Sequence, residues 1–241
     1  MKRSFRKAAL LSAMTIVVPA MSIAQNEVEA SVGADLVSGY IWRGQDLGNV
    51  SIQPSVSVSY KGFSLCAWGS VGIEKKDTKE LDFTIGYTTG GFSISVTDYW
   101  INGGPGYFHY GSHDTNHVFE AQVGYDFGPL ALNGYTNFAG ADGVNKEGDR
   151  AYSSYISATV PFKLAGLEWT AEIGATPWAT DFYNYSEDPA CSGSNGFAVC
   201  DISLEASKEI KITDSFSVPA FAKVTMNPRT EGAYFVFGLS F

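Results

Sequence analysis

The sequence lacks any apolar run long enough to form a membrane-spanning helix once its first 24 residues are set aside. No later stretch approaches the roughly 18 consecutive apolar residues that such a helix needs. A Pro-rich linker and a repeat of fixed period are also missing. The remaining chain of about 217 residues suits one domain, since all-β units of roughly 200–250 residues are common.

Basic residues are scarce beyond the amino terminus. Four of the 16 Lys and Arg residues lie within the first seven positions, which leaves 12 against 25 Asp and Glu and a net charge of −13. No basic patch interrupts this composition. Such an acidic surface repels nucleic acid, so we expect no nucleic-acid partner.

The first 24 residues have the pattern of a secretory signal peptide. A basic start from Lys2 to Lys7 leads into an apolar stretch, and Ser22 and Ala24 place small residues where a signal peptidase cuts. We predict a signal peptide over residues 1–24 and export of residues 25–241. No cysteine follows the cut directly, which argues against a lipid-anchored lipoprotein.

Apolar and polar residues alternate along most of the exported chain. Phe83, Ile85 and Tyr87, for example, share one face of an extended segment, while Asp82 and Thr84 share the other. About twelve such segments occur, each near the roughly 10 residues of a tilted membrane strand. Their approximate spans are 28–43, 51–60, 63–73, 80–88, 92–101, 117–127, 130–139, 152–162, 167–177, 201–210, 215–226 and 232–241.

The connections between these segments are of two kinds. Those after the even-numbered segments are short, such as "KG", "TGG" and "GP", whereas those after the odd-numbered segments are generally longer and more polar. This is the layout of a bacterial outer-membrane barrel. We therefore predict that residues 25–241 form an all-β, transmembrane, antiparallel up-and-down β-barrel of about 12 strands, with short periplasmic turns and long extracellular loops.

Aromatic residues are concentrated near the ends of the predicted strands. Tyr60 and Phe63 flank a short turn, whereas Tyr40, Trp42 and Tyr99 lie toward the long loops. Two girdles of aromatic rings typically bound the apolar belt of a membrane barrel. The aromatic pattern therefore also predicts a membrane barrel.

The last predicted strand is apolar on alternate positions up to its final residue, Phe241. We expect it to pair with the first strand, because closure leaves no unpaired backbone groups in lipid. Its apolar row would face outer-membrane lipid. A carboxyl-terminal Phe on such a strand also resembles the sorting signal read by the outer-membrane barrel assembly machinery, which is a second expected partner.

If the apolar positions face lipid, the other set faces the lumen. The ionisable residues of that set are Glu29, Asp35, Arg43, Asp82, Glu120, Glu168, Glu172, Glu205, Glu209 and Lys223. Eight carboxylates against two cations predict an acidic interior, which in a water-filled channel favours cations. The alternative is a closed barrel in which Arg43 and Lys223 each pair with carboxylates.

One carboxylate does not fit this scheme. The phase of Ile94 and Val96 points Asp98 toward lipid, just before Tyr99 and Trp100. Either the strand has left the apolar belt at Asp98, or a β-bulge shifts its register.

Three histidines, His109, His113 and His117, share one Gly-rich segment with Asp114. Their even spacing is compatible with a metal site, but a solvated loop with incidental histidines is the simpler interpretation. We therefore predict no metal and no other cofactor.

Catalytic patterns are missing. The chain contains no G-x-S-x-G motif, and no histidine lies well inside a lipid-facing strand as an outer-membrane lipase would require. Glu168 and Glu172 share a strand face but lie about 13 Å apart, too far for a glycosidase pair. We expect no enzymatic activity.

The three cysteines divide into a pair and a single residue. Cys191 and Cys200 bracket a Gly/Ser/Asn-rich loop of an exported chain, which predicts a loop-closing disulfide. Cys66 lies within a strand pattern, and we interpret it as a small packed residue.

The opening of the exported chain contains three features of interest: "LVSGYIWRG", a proline in the second strand at Pro54, and "GF" followed by "WGS" in the third. In these features it resembles the TorF family of bacterial outer-membrane proteins. It is clearest over residues 30–125. The resemblance implies a porin-like role and names no substrate.

Together these patterns predict an outer-membrane, porin-like channel for passive passage of small, possibly cationic, solutes through an acidic lumen. The alternative is a closed barrel whose extracellular loops bind a ligand or partner. The sequence does not specify the solute or the oligomeric state.

Overall fold

A computed structural model describes residues 28–75, 77, 79–101, 104–112, 114–214 and 216–241. The predicted signal peptide, residues 1–24, lies outside this set. Regular structure in the described residues consists of β-strands. None of them forms a helix that is long and apolar enough to cross a membrane.

Fourteen strands occur in the described part of the chain. They are β1 (Glu29–Val37), β2 (Tyr40–Trp42), β3 (Gln45–Gly48), β4 (Ser51–Tyr60), β5 (Phe63–Gly72), β6 (Lys79–Thr89), β7 (Phe92–Ile101), β8 (His117–Asp126), β9 (Ala131–Gly140), β10 (Ser154–Leu164), β11 (Leu167–Thr176), β12 (Ala198–Lys211), β13 (Ser217–Asn227) and β14 (Gly232–Ser240).

Twelve of these strands form one closed, antiparallel, up-and-down barrel, in which each strand pairs with its neighbours in the chain. Short turns join the strands at one end and longer segments join them at the other. The prediction of an all-β, antiparallel up-and-down barrel of about 12 strands is thereby confirmed. The strands β2 and β3 are not part of the barrel wall and form a separate two-stranded sheet.

The barrel closes where the last strand meets the first, as predicted. Asp35 lies opposite Ser240, and the backbone of Ala34 exchanges two hydrogen bonds with that of Phe241, at 3.1 and 2.9 Å. Since β1 also pairs with β4, no strand of the wall has a free edge. Every strand of the wall thus has a hydrogen-bonded neighbour on both sides.

The alternation of the sequence becomes an inside and an outside. Large apolar side chains are exposed on the outer surface, as shown by Val56 (50% exposed), Ile85 (57%) and Phe235 (68%). Their neighbours in each strand point into the lumen, where polar residues such as Gln53 and Asp82 are buried. This inverted distribution follows from the period of two residues in an extended strand.

The first strand is shorter than predicted, and this changes the lumen. The sequence predicts one strand over residues 28–43, but β1 ends at Val37 and the chain then forms the β2–β3 hairpin. Arg43 and Gly44 make its turn, with φ of 50° and 76°. Positive φ at both central residues is typical of a two-residue type I′ turn, and it is incompatible with a continuous strand.

The hairpin, residues 40–48, folds into the barrel and is named the plug hairpin below. Tyr40, Ile41 and Trp42 are all buried, so this segment does not extend into solvent as an outer loop would. A Cβ atom on Gly44 would lie 1.8 Å from the carbonyl oxygen of Cys200 on β12. Only a glycine allows this close approach of the turn to the wall.

Replacing Gly44 by alanine tests this fit. We expect Gly44→Ala to lower the free energy of unfolding by the strain of positive φ, about 1–2 kcal/mol, plus about 1–3 kcal/mol for overpacking against Cys200. Gly166→Ala is the matched control, because Gly166 also follows a positive-φ residue in a two-residue turn but has open space around it. Urea unfolding followed by tryptophan fluorescence measures both. Equal losses of unfolding free energy in the two variants would show that the turn at Gly44 is not tightly packed against Cys200.

Candidate functional site

The plug hairpin carries an arginine to a glutamate of the barrel wall. Arg43 donates from Nη1 and Nη2 to the two carboxylate oxygens of Glu120 on β8, at 2.5 and 2.8 Å. Both side chains are at least 95% buried. Two residues that the sequence predicts for the lumen thus form a bidentate ion pair that is shielded from water.

Two tyrosines complete the hydrogen bonding of Glu120. Tyr99 on β7 donates to Oε1 at 2.9 Å, and Tyr183, from the segment between β11 and β12, donates to Oε2 at 3.3 Å. Arg43 Nη1 also donates to the Tyr183 hydroxyl at 2.5 Å. Burial raises the pKa of Tyr183 well above its usual value, so this hydroxyl stays protonated and able to donate.

Aromatic rings surround the guanidinium group. Its Cζ atom lies 4.0 Å from the ring centroid of Tyr135, 4.4 Å from Trp42, 4.8 Å from Tyr155 and 5.7 Å from Tyr183. Each distance is within the range of a cation–π contact. The cluster of Arg43, Glu120 and these rings, with Tyr99, is named the guanidinium cage below.

A second contact fixes the other side of the plug hairpin. Tyr40 donates to Glu80 on β6 at 2.9 Å and packs against Trp68 on β5, with ring centroids 5.7 Å apart. Asp82, two residues further along β6 on the same face, is 3% exposed. The hairpin is therefore bound to acidic groups on two different parts of the wall.

The long segment between β11 and β12 also folds inward. Tyr183 and Asn184 are completely buried. Asn227 at the end of β13 donates to the carbonyl oxygen of Gly44 at 3.0 Å and to Oδ1 of Asn184 at 3.1 Å. One amide thus connects both inward-folded segments to the wall.

Exposure changes abruptly along the lumen. On β4, the lumen-facing Ser51 and Gln53 are buried, whereas Ser55, Ser57 and Ser59 are partly exposed. The same change occurs on β8 between Glu120 and Gln122. Along β4 and β8 the half of the lumen near the long loops is therefore filled by protein, and the half near the short turns is partly open and is named the vestibule below. On β12, by contrast, Ser203, Glu205 and Ser207 are all buried, so the vestibule lies to one side of the lumen.

The other predicted lumen residues lie at different depths. Glu172 accepts hydrogen bonds from Tyr155 at 2.9 Å and from Thr159 at 3.2 Å. Glu205 is buried and lies opposite Lys223 in the strand register.

Asp35 and Glu168 lie in very different surroundings. Asp35 and Lys223 line a small cavity beside the plug hairpin, which also borders Ile41. Glu168 lies at the exposed short-turn end and pairs with Lys163. The ionisable residues predicted for the lumen therefore do not form one ring, and only Arg43 and Glu120 of this set are joined in the cage.

The prediction of a disulfide between Cys191 and Cys200 is wrong. All three cysteines of the chain lie in described residues and are free thiols. Cys200 is buried in the lumen wall, where its sulfur lies 3.9 Å from the carbonyl oxygen of Gly174. Cys191 belongs to an outer turn whose carbonyl groups at Ala190 and Ser192 are bound by Arg229. The two cysteines are thus held on different parts of the fold.

The aberrant Asp98 has a partner on the outer surface. His117 is completely buried, and its Nδ1 lies 2.7 Å from the Asp98 carboxylate while its Nε2 lies 2.6 Å from the carbonyl oxygen of Tyr107. Tyr110 stacks on the imidazole at 4.1 Å. Both ring nitrogens thus lie within hydrogen-bond distance of an oxygen atom. The connection between β7 and β8 therefore covers a paired aspartate and histidine on the outside of the barrel.

The histidine segment does not converge on one point. His109 is exposed and lies 3.6 Å from Asp114, and His113 lies outside the described residues. No group of three or more His, Cys, Asp or Glu side chains within the described ranges is arranged to hold a metal ion.

Sequence reasoning missed part of the cage. The sequence predicts that Tyr99 lies in an aromatic girdle, but its side chain faces the lumen. Its position in alternation with the polar Ser95 and Thr97 already indicates the lumen side. Tyr135 likewise alternates with Asn133 on β9. Tyr183 lies in an irregular segment, so no periodic pattern reveals its position.

The fold and the lumen define the class of protein as a closed 12-stranded β-barrel with its outer half plugged by its own segments. A family described as a bacterial protein of unknown function (Gcw_chp) matches residues 22–209, more than half of the chain. The chain therefore belongs to this family. No curated protein matches it.

His117 is predicted to hold the covering segment on the barrel. Replacing it by alanine removes the Asp98 and Tyr107 contacts and the stacking surface of Tyr110. We expect His117→Ala to cost about 1.5–3 kcal/mol, the usual value for hydrogen bonds to charged groups, and to speed amide hydrogen exchange across residues 104–112. His109→Ala is the control, since His109 is exposed. Unchanged exchange in His117→Ala would show that the segment is held by other contacts.

Proposed function

We propose that this protein is an outer-membrane channel for small cationic solutes, held closed in the described conformation by the plug hairpin and the segment that carries Tyr183. The observation that carries the proposal is the division of the lumen. A polar vestibule leads from the short-turn end to a dry layer made of segments that are not part of the wall.

The outer surface supports the membrane location. Exposed Ile, Leu, Val and Phe side chains occur on the strands all around the barrel, including Val56, Ile94, Leu132, Ile173 and Phe237. In water such an apolar surface would be unfavourable. In a bilayer it is the expected outer face, because a closed barrel satisfies its backbone hydrogen bonds internally.

The charge of the lumen supports cations as the solutes. Among the described residues on this face, Asp82, Glu120, Glu172 and Glu205 are carboxylates close to the dry layer. Lys223 is a counter-charge supplied by the wall, opposite Glu205 in the strand register. Acidic groups that line a narrow hydrated path favour cations over anions.

The construction of the plug hairpin supports opening. It leaves the wall after Val37 and returns at Ser51, and these two residues are direct partners across β1 and β4. The wall is therefore continuous without the hairpin, so movement of the hairpin does not require the barrel to open. The resemblance of the chain to TorF proteins agrees with a porin-like role.

The same dry layer is the basis of a second candidate function, in which a permanently closed barrel binds a partner. A barrel that stays plugged presents its long segments at the outer face, where Phe108 and Tyr185 are 89% and 75% exposed. Exposed aromatic side chains are typical of surfaces that bind a partner. Conductance separates this function from the first, because a permanent plug allows none.

The membrane location is tested with two neighbouring residues on opposite faces of β4. Val56→Arg is expected to cost about 2–4 kcal/mol of unfolding free energy in lipid vesicles, the value for a cation on the lipid face near the middle of a barrel strand. Ser57→Arg, which faces the vestibule, serves as the control and is expected to cost much less. Similar costs for the two variants would contradict a lipid-facing outer surface.

The channel is tested by conductance in planar bilayers. Arg43→Ala breaks a buried ion pair worth about 3 kcal/mol or more, which corresponds to a roughly 100-fold shift toward the open state. Replacing residues 38–50 by a two-residue Asn-Gly turn between Val37 and Ser51 removes the plug hairpin and, with Arg43, one hydrogen-bond partner of Tyr183. Because both closing segments are then removed or weakened, this variant is expected to give a cation-selective pore that is open more often than that of Arg43→Ala. In that pore, Glu172→Gln is expected to reduce the selectivity.

Lys163→Ala is the control for conductance, since it also removes a cation, but at the exposed rim. It is expected to conduct no more than the unmodified protein. Absence of current from the Asn-Gly variant, in membranes where its insertion is verified, would reject the channel and favour the closed binder.

A further inference from the structure

Arg43 is held in the lumen as a bound ligand would be. It belongs to the plug hairpin, which the wall does not need for closure. The wall groups that contact it come from three successive strands: Glu120 on β8, Tyr135 on β9 and Tyr155 on β10. Tyr99 on the adjacent β7 donates to Glu120. These four side chains are positioned by the barrel itself, so they form a recognition surface that persists when the hairpin moves.

The chemistry of this surface selects a guanidinium group over other cations. Glu120 accepts two parallel hydrogen bonds, from Nη1 and Nη2, which a planar guanidinium offers and an ammonium does not. The Tyr135 centroid lies 4.0 Å from Cζ, a distance at which a flat cation packs against a ring. Tyr99 fixes the carboxylate by donating to Oε1. Shape, charge and hydrogen bonds therefore point to the same ligand.

The vestibule brings water to the edge of this surface. Gln122 lies two residues from Glu120 on the lumen face of β8, and Asn133 lies two residues from Tyr135 on β9. Both are partly exposed, whereas Glu120 and Tyr135 are 2% and 6% exposed. Two residues of a strand span about 7 Å. A solute in the vestibule is thus one layer of side chains away from the cage.

We propose that the wall side of the guanidinium cage, formed by Tyr99, Glu120, Tyr135 and Tyr155, is a binding site for solutes that bear a guanidinium group. In the closed state Arg43 occupies it as an internal substitute for the solute. The solute and Arg43 compete for Glu120, so binding of the solute releases the plug hairpin. This inference rests on the proposed channel function for its physiological meaning, but the binding site itself is testable without any current.

The test is chemical rescue of the Arg43→Ala variant of the mature protein, refolded in detergent micelles. The substitution leaves Glu120 buried without its ion-pair partner, which lowers the unfolding temperature. Low-millimolar guanidinium chloride is expected to raise that temperature again in a saturable way, by at least half of the loss, since a ligand that binds the native state stabilises it. The same concentration of ammonium chloride is expected to give a much smaller rise.

Two further proteins make the result specific. The double variant Arg43→Ala, Glu120→Gln is expected to show no rescue. The side chain at position 120 then lacks the negative charge that accepts the two parallel hydrogen bonds of a guanidinium group. The unmodified protein is also expected to show none, because Arg43 fills the site. Equal rescue by ammonium, or an equal rise in either of these two proteins, would overturn the proposal and leave the cage as a structural lock.

A variant that does not refold alone is still informative. In that case the yield of folded barrel, read as the heat-modifiable band on a gel, is compared after refolding with guanidinium and with ammonium. A gain confined to guanidinium supports the site, and no gain contradicts it.

The rescue experiment tests the guanidinium site and the conductance experiment tests the channel, so either can fail without the other. Rescue without current in any variant keeps the guanidinium site and rejects the channel. Current from the Asn-Gly variant without rescue keeps the channel and rejects the site. Where both succeed, guanidinium added from the vestibule side, at a concentration well above that of the rescue and high enough to compete with Arg43, is expected to increase the open time of the unmodified protein.

Discussion

A carboxylate buried inside a barrel needs a donor for each of its oxygens, and Glu120 imposes this requirement on the outer half of the lumen. Its oxygens receive both arms of Arg43 and the hydroxyls of Tyr99 and Tyr183. These donors come from the plug hairpin, from β7 and from the segment before β12. Desolvation of a charge costs several kcal/mol unless it is matched in this way. Both inward-folded segments therefore meet at one wall residue.

Closure of the sheet makes such an interior possible. Because β14 pairs with β1, every wall strand is hydrogen-bonded on both sides, and the side chains alone decide which face meets which environment. Apolar rows cover the outside, and the inside collects acids with few basic residues from the wall. The cation that balances Glu120 is delivered by a hairpin instead.

Both faces of the wall carry an acidic side chain that is paired and covered by a connecting segment. Inside, a hairpin brings an arginine to a glutamate and encloses it with aromatic rings. Outside, the connection after β7 covers Asp98 with His117 and stacks Tyr110 over the imidazole. In both places a charge that interrupts the expected pattern is paired, then covered by a connecting segment. The register of β7 is continuous through Asp98, so a β-bulge does not explain its outward direction. Its pairing partner, His117, is present on the outer surface.

Sequence alone determined the strand count, the closure and the two faces, because a period of two residues acts locally and repeats twelve times. It also placed Arg43 and Glu120 on the lumen side. The tertiary structure decided what it could not: that Gly44 turns the chain inward against Cys200, that Tyr183 reaches the cage, and that Cys200 remains a free thiol. These features depend on contacts between segments far apart in the chain, and no local repeat encodes such contacts.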